Sequence, residues 1–152
     1  MKTAEEVLLQ KKFYDNIIHP NDLVIDALKR LNDVNLSYLI VKDGDDIKGI
    51  FSEKDYARKV ILQGRSSSGT TVKEIMTVDL PEVQLEDSVE KCMNILASHG
   101  RRYIFVKDKK KFAGVITIHD LLREVLLHGE RVFDNRITRT LIDINEHPPK
   151  VY

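Results

Sequence analysis

Gly49-Ile50-Phe51-Ser52-Glu53-Lys54-Asp55 returns as Gly114-Val115-Ile116-Thr117-Ile118-His119-Asp120, 65 positions later. Glycine, two apolar residues, a hydroxyl residue, two further residues and an aspartate form one phrase written twice. Extended outward at the same offset, the pairing takes in Asp22 with Asp87, Val24 with Val89, Leu31 with Leu96 and Tyr38 with Tyr103. Val41-Lys42-Asp43 falls on Val106-Lys107-Asp108, Arg58 on Arg123 and Val60 on Val125. Residues 19–60 and 84–125 share 11 identities in 42 positions without a gap. A fixed internal period sets the fold before any single element is read.

Each copy carries the same local pattern. Val24, Ala27, Leu28 and Leu31 recur at i, i+3, i+4 and i+7, the spacing of one buried helical face. Val89, Cys92, Met93 and Leu96 repeat it. The apolar runs Ser37 to Val41 and Tyr103 to Val106 read as strands, followed by polar turns at 42–46 and 107–111 and second strands at 47–51 and 112–116, a hairpin in each copy. Ser52 and Thr117 then open a second helix, with Tyr56, Val60 and Ile61, or Leu121, Val125 and Leu126, expected to face inward. Ile17–Ile18 and Val83 are expected to add short strands. The fold class is α+β, two pseudo-symmetric β-α-β-β-α units. A unit of about 50 residues is too small to be comfortable alone. The two are expected to pack sheet to sheet about a pseudo-two-fold axis, joined by the Gly- and Ser-rich linker 63–71 and leaving two related clefts.

Composition narrows the function. The chain has 152 residues, with Lys plus Arg and Asp plus Glu both 24, so its formal net charge is zero. Binding to nucleic acid through bulk positive charge is excluded, and nucleic acid is not an expected partner. One cysteine, Cys92, rules out an internal disulfide framework and a multi-cysteine zinc site. It lies on the apolar helix face, where a small core residue is expected. His19, His99, His119, His128 and His147 show no i, i+4 pair, and no metal is expected. No apolar run reaches a bilayer span, so no membrane partner is expected. The first 15 residues read as neither a secretory signal nor a transit peptide, which points to the cytoplasm. No nucleophile elbow, P-loop or triad is evident, so the expected class is not an enzyme.

The phrase has two compatible readings. One is a capping box, a hydroxyl residue at a helix start answered by an acid three residues on. The other is a ligand site. A helix N-terminus offers unpaired N–H groups to phosphate. A carboxylate accepts hydrogen bonds from ribose hydroxyls. Two copies in register, each at a strand end, are harder to explain by capping alone.

These residues bring out a family resemblance. The doubled Gly-apolar-apolar-Ser/Thr-x-x-Asp phrase, the Val-Lys-Asp turns and Glu74-Ile75-Met76-Thr77 at the opening of the second repeat resemble a tandem pair of CBS domains, the cystathionine-beta-synthase-type regulatory repeat. Stretch 51–77 is similar to small stand-alone CBS-pair proteins of bacteria and plant organelles. The resemblance covers roughly 15–128. It implies a first CBS repeat with N-terminal segment and linker at 1–70, a second at 71–128, and a C-terminal tail at 129–152. It implies a homodimer forming a disc of four units that acts on a partner protein the sequence does not name.

It also implies an adenosine ligand between the repeats, AMP first, with ADP, ATP, NAD or S-adenosylmethionine as alternatives. The ribose-binding acids match Asp55 and Asp120, and the hydroxyl positions Ser52 and Thr117. The adenine-flanking segments match Tyr38, Leu39 and Ile40, and Tyr103, Ile104 and Phe105. Ile17 and Ile18 match residues that line the pocket before the first helix. The family often carries Pro where Ile40 and Phe105 stand, and a small residue where His119 stands. Phe105 is large enough to narrow a cleft or to stack on a base.

Charge suggests further contacts. Arg101 and Arg102 have Leu36 and Ser37 as counterparts, which would make one cleft more basic, and Arg102 suits phosphate through its planar fork. Arg58, Lys59 and Arg65 are a second phosphate candidate or an exposed helix face. Lys109, Lys110 and Lys111 read as a solvated turn. The function expected is a regulatory module that binds adenine nucleotides. The alternative is an interaction module without a nucleotide.

Overall fold

Val24, Ala27 and Leu31 are buried along one side of the helix they were expected to form, and Val89, Cys92, Met93 and Leu96 do the same 65 residues later. The computed structural model describes residues 2–128 and 142–143, so the C-terminal tail 129–152, apart from two residues, lies outside the described part. The elements are α1 (Ala4–Gln10), β1 (Ile17–Ile18), α2 (Val24–Val34), β2 (Tyr38–Asp43), β3 (Asp46–Ser52), α3 (Glu53–Tyr56), α4 (Val72–Ile75), β4 (Glu82–Gln84), α5 (Val89–His99), β5 (Tyr103–Asp108), β6 (Lys111–Thr117) and α6 (Ile118–His128). A π-helical stretch, Ala57–Ile61, continues α3.

There are two three-stranded mixed sheets, ordered β1-β2-β3 and β4-β5-β6. In each the short first strand runs parallel to the second, and the second pairs antiparallel with the third. The register shifts at equivalent places, Val41/Lys42 and Val106/Lys107. Left-handed residues match as well. Asn35 and Gly100 close α2 and α5 with φ of 52° and 59°. Gly44 and Lys109 hold the hairpin turns at 60° and 57°. The backbone repeats even where the residues differ.

The chain divides into two compact units, Lys12–Asp79 and Met1–Lys11 with Leu80 onward. The segments leading into each repeat are therefore exchanged. Thr3-Ala4-Glu5-Glu6-Val7-Leu8 resembles Thr71-Val72-Lys73-Glu74-Ile75-Met76 at an offset of 68, and each heads a short helix. The Thr3 N–H donates to Glu6 Oε2 at 2.8 Å and the Thr71 N–H to Glu74 Oε2 at 2.9 Å. α1 packs with the second repeat, where the Ala4 N–H donates to Asp87 O at 2.8 Å. α4 packs with the first, where the Val72 N–H donates to Asp22 O at 2.9 Å. Glu74-Ile75-Met76-Thr77 thus completes the first unit instead of opening the second. Burial explains the choice. Val72 and Ile75 lie in the core with Val24, Ala27, Leu39 and Phe51, and Ala4 and Val7 in the core with Met93, Ile104 and Ile116.

Two expectations are corrected. Ile61 and Leu126 are exposed, by 54% and 83%, although both were expected to face inward. Leu126 stands five residues after the buried Leu121, which carries it about 140° around α6 and off the buried face. Ile61 is the last residue of the π-helical stretch and directly follows the fully buried Val60. The linker is more than a tether. Thr70 is buried, and the carbonyls of Ser67 and Thr70 accept from Ile25 and Val24, satisfying first-turn N–H groups of α2. Among the described residues no helix is long and apolar enough to cross a membrane.

Candidate functional site

β3 and β6 each end at the hydroxyl residue of the motif, opposite a tyrosine: Tyr38 pairs with Ser52 and Tyr103 with Thr117. Extended backbone at Ser52 gives way at once to helix, so its side chain meets the first-turn N–H groups. The Asp55 N–H donates to Ser52 Oγ at 3.2 Å, and the Ser52 N–H donates to Asp55 Oδ2 at 3.0 Å. That is a reciprocal capping box with Asp in the place of Glu. In the second copy the Asp120 N–H donates to Thr117 Oγ1 at 3.2 Å and the Thr117 N–H to Asp120 Oδ2 at 2.8 Å. The capping reading of the motif is realised in both repeats.

The carboxylates differ in their other partners. Asp55 is 5% exposed. Its Oδ2 also accepts from Ser52 Oγ at 3.0 Å, while its Oδ1 accepts from Thr77 Oγ1 at 2.8 Å and lies 2.8 Å from Lys59 Nζ. Lys59 is held in place by the Ile75 carbonyl at 3.1 Å. Asp120 Oδ2 accepts from Lys11 Nζ at 2.8 Å, and Lys11 also donates to Val115 O at 2.8 Å. The motif glycines make room for the segments that carry Thr77 and Lys11. A Cβ at Gly49 would sit on the Thr77 carbonyl, and one at Gly114 would meet Leu8 Cδ2 at 2.9 Å.

The other candidate residues divide by strand face. Leu39 and Ile104 are fully enclosed in their cores, which leaves only their backbone to a ligand. Ile18 and Tyr38 are buried, Ile40 and Tyr103 half-buried, and Ile17 exposed. Phe105 is buried, and its ring stands edge-on to Phe112 at 5.5 Å and 88°. Arg58 and Arg102 are half-buried. Cys92 is a core residue, as expected, and burial pushes its thiol up to about 12. Among the described residues no group of three or more His, Cys, Asp or Glu side chains is placed to hold a metal ion.

Sequence reasoning missed Lys11 and Thr77, and it weighed Lys59 only against phosphate. Lys59 was legible as the i+4 partner of Asp55. Thr77 and Lys11 reach their aspartates across 22 and 109 residues, and no local pattern announces that.

Residues 7–61 and 72–127 match the CBS domain family. The chain is a tandem CBS-domain protein. It is 38% identical over 111 residues to the mitochondrial CBS domain-containing protein CBSX3 of Arabidopsis thaliana, a match that covers 70% of this chain and 54% of that protein. The chain thus spans about half the length of that relative. Among solved structures, a protein with CBS domains from Burkholderia ambifaria is similar at a TM-score of 0.76 and 38% identity, over 88% of this chain and 99% of that one. A hexameric CBS-CP12 protein from bloom-forming cyanobacteria is similar at 0.69 and 25% identity, over 95% of each chain. A CBS-domain pair is generally a regulatory module, and such pairs typically bind adenosine ligands.

Proposed function

We propose that this tandem CBS protein is a sensor that binds an adenosine-containing nucleotide through its hydroxyl–acid motif and passes the binding event to a partner protein. AMP is the first candidate, followed by ADP, ATP, NAD and S-adenosylmethionine. The observation that carries the reading is the strand-to-helix junction ending in Thr117 and Asp120, where a hydroxyl and a carboxylate stand together at the head of an eleven-residue helix. A carboxylate there accepts from ribose hydroxyls, and the first-turn N–H groups favour phosphate. The nucleotide is a ligand and not a substrate in this reading, and the output is a shift between two states set by its differential affinity. A cytoplasmic location belongs to the same proposal, although the Arabidopsis relative is named as mitochondrial.

Self-association belongs to it as well. Ile61 and Leu62 in the first repeat and Leu126 and Leu127 in the second hold equivalent positions and are all exposed. Doubled apolar patches of this kind fit a homodimer. The Leu62→Glu/Leu127→Glu double variant should sediment as a monomer where the wild type sediments as a dimer.

The main test is thermal unfolding with each nucleotide. A ligand at about 100 times its dissociation constant adds roughly 2.7 kcal/mol and moves the midpoint by several degrees. The ligand should be recovered chemically unchanged after long incubation. If none of the five adenosine ligands shifts the midpoint, the reading fails. An interaction module without a nucleotide then takes its place, a reading favoured by the complete internal pairing of Asp55.

A further inference from the structure

We infer that the two copies of the motif have parted roles: Thr117 and Asp120 form the chain's single ribose-binding site, and Ser52 and Asp55 form an internal lock that takes no ligand. This rests on the nucleotide reading above and says which copy carries it. A carboxylate offers about four acceptor positions. In Asp55 all four are used, by the N–H and hydroxyl of Ser52, by Thr77 and by Lys59. The Ser52 hydroxyl both accepts and donates within the box. A sugar diol would have to displace both Thr77 and the Lys59 ammonium group from a nearly enclosed acid whose acceptor positions are filled.

In the second copy the same atoms are unspent. Asp120 Oδ2 is held by the Thr117 N–H and by Lys11, while Oδ1 has no hydrogen-bond partner among the described residues. Thr117 Oγ1 accepts from the Asp120 N–H and donates to none of them. One carboxylate oxygen and one hydroxyl proton stand ready side by side, the acceptor and donor that a ribose hydroxyl pair requires. The sequence explains the difference. The counterpart of Lys59 is Glu124, which lies 2.9 Å from Lys2, and the counterpart of Thr77 at the offset of the exchanged helices is Leu9, which is exposed. Neither can donate to Asp120.

Titration calorimetry of the full chain with AMP, ADP, ATP, NAD and S-adenosylmethionine in turn tests this. One nucleotide should bind per chain. Asp120→Asn and Thr117→Val should weaken it by about tenfold or more, as should 2′-deoxy-AMP in place of AMP. Asp55→Asn should leave the affinity within about twofold while lowering the unfolding midpoint. If that variant does not fold, Ser52→Ala is read the same way. Two nucleotides per chain, wild-type affinity in Asp120→Asn, or lost affinity in the first-repeat variants overturns the inference and leaves the nucleotide reading standing. A wild-type chain that binds none of the five overturns both.

Discussion

Lys59 and Glu124 hold the same position in the two repeats, four residues after the motif aspartate, and carry opposite charges. Lys59 neutralises Asp55 from within its own helix at 2.8 Å. Glu124 turns to Lys2 at 2.9 Å, and Asp120 takes its cation from Lys11 at the end of α1, also at 2.8 Å. The second unit therefore depends on its N-terminal helix for charge balance, and the first does not.

Lys11→Met should destabilise the protein by about 1–2 kcal/mol in urea unfolding. The value sits below that for breaking a fully buried pair because the Lys11 side chain keeps 22% of its exposure. An unchanged midpoint would show that the ion pair does not tie α1 to α6.

The motif glycines should respond unequally to alanine. At Gly49 the new methyl meets the Thr77 carbonyl, whose own hydrogen bonding to the Ile50 N–H at 3.0 Å fixes it in place. At Gly114 it meets only the end of the Leu8 side chain, which can rotate away. Gly49→Ala should cost about 2–3 kcal/mol and Gly114→Ala about 1 kcal/mol or less. Equal losses in thermal melts would contradict this account of the glycines.

Lys109 holds a left-handed conformation at φ 57°, where its counterpart is Gly44. Lys109→Gly should raise stability by about 0.5–1 kcal/mol, since the relief of strain exceeds the added freedom of the unfolded chain. Gly44→Ala should lower it by a similar amount. Chemical denaturation of the pair checks both signs.

A hydrogen bond from Lys91 holds the Asp87 carboxyl below its ordinary value of 3.8, against the opposing effect of burial. A lowered carboxyl value stabilises the fold at pH above the ordinary value, and the contribution is lost as pH falls through the folded one. Asp87→Asn should therefore cost about 1 kcal/mol at neutral pH, with the gap to wild type closing in strong acid. A gap that persists at the lowest pH where the protein stays folded would reject the assignment.

Most of the fold was legible because its signals are local. Helical spacing at Val24, Ala27 and Leu31 and the hairpin runs around 42–46 and 107–111 set the elements, and the 65-residue period showed that there are two of each. The inward facing of Ile61 and Leu126 was misread because the buried stripe ends before them. The partners of the motif acids were less legible. Only Lys59 stands at a spacing that a helix brings together.

The sequence by itself determined the repeat, the order of helices and strands and the capping of each motif, since all of these follow from residues a few positions apart. Tertiary structure alone decided which leading helix serves which unit, and so which side chains surround each aspartate. Thr77 and Lys11 meet their partners only after the core has closed, because it is the burial of Val72, Ile75, Ala4 and Val7 that brings those helices into place.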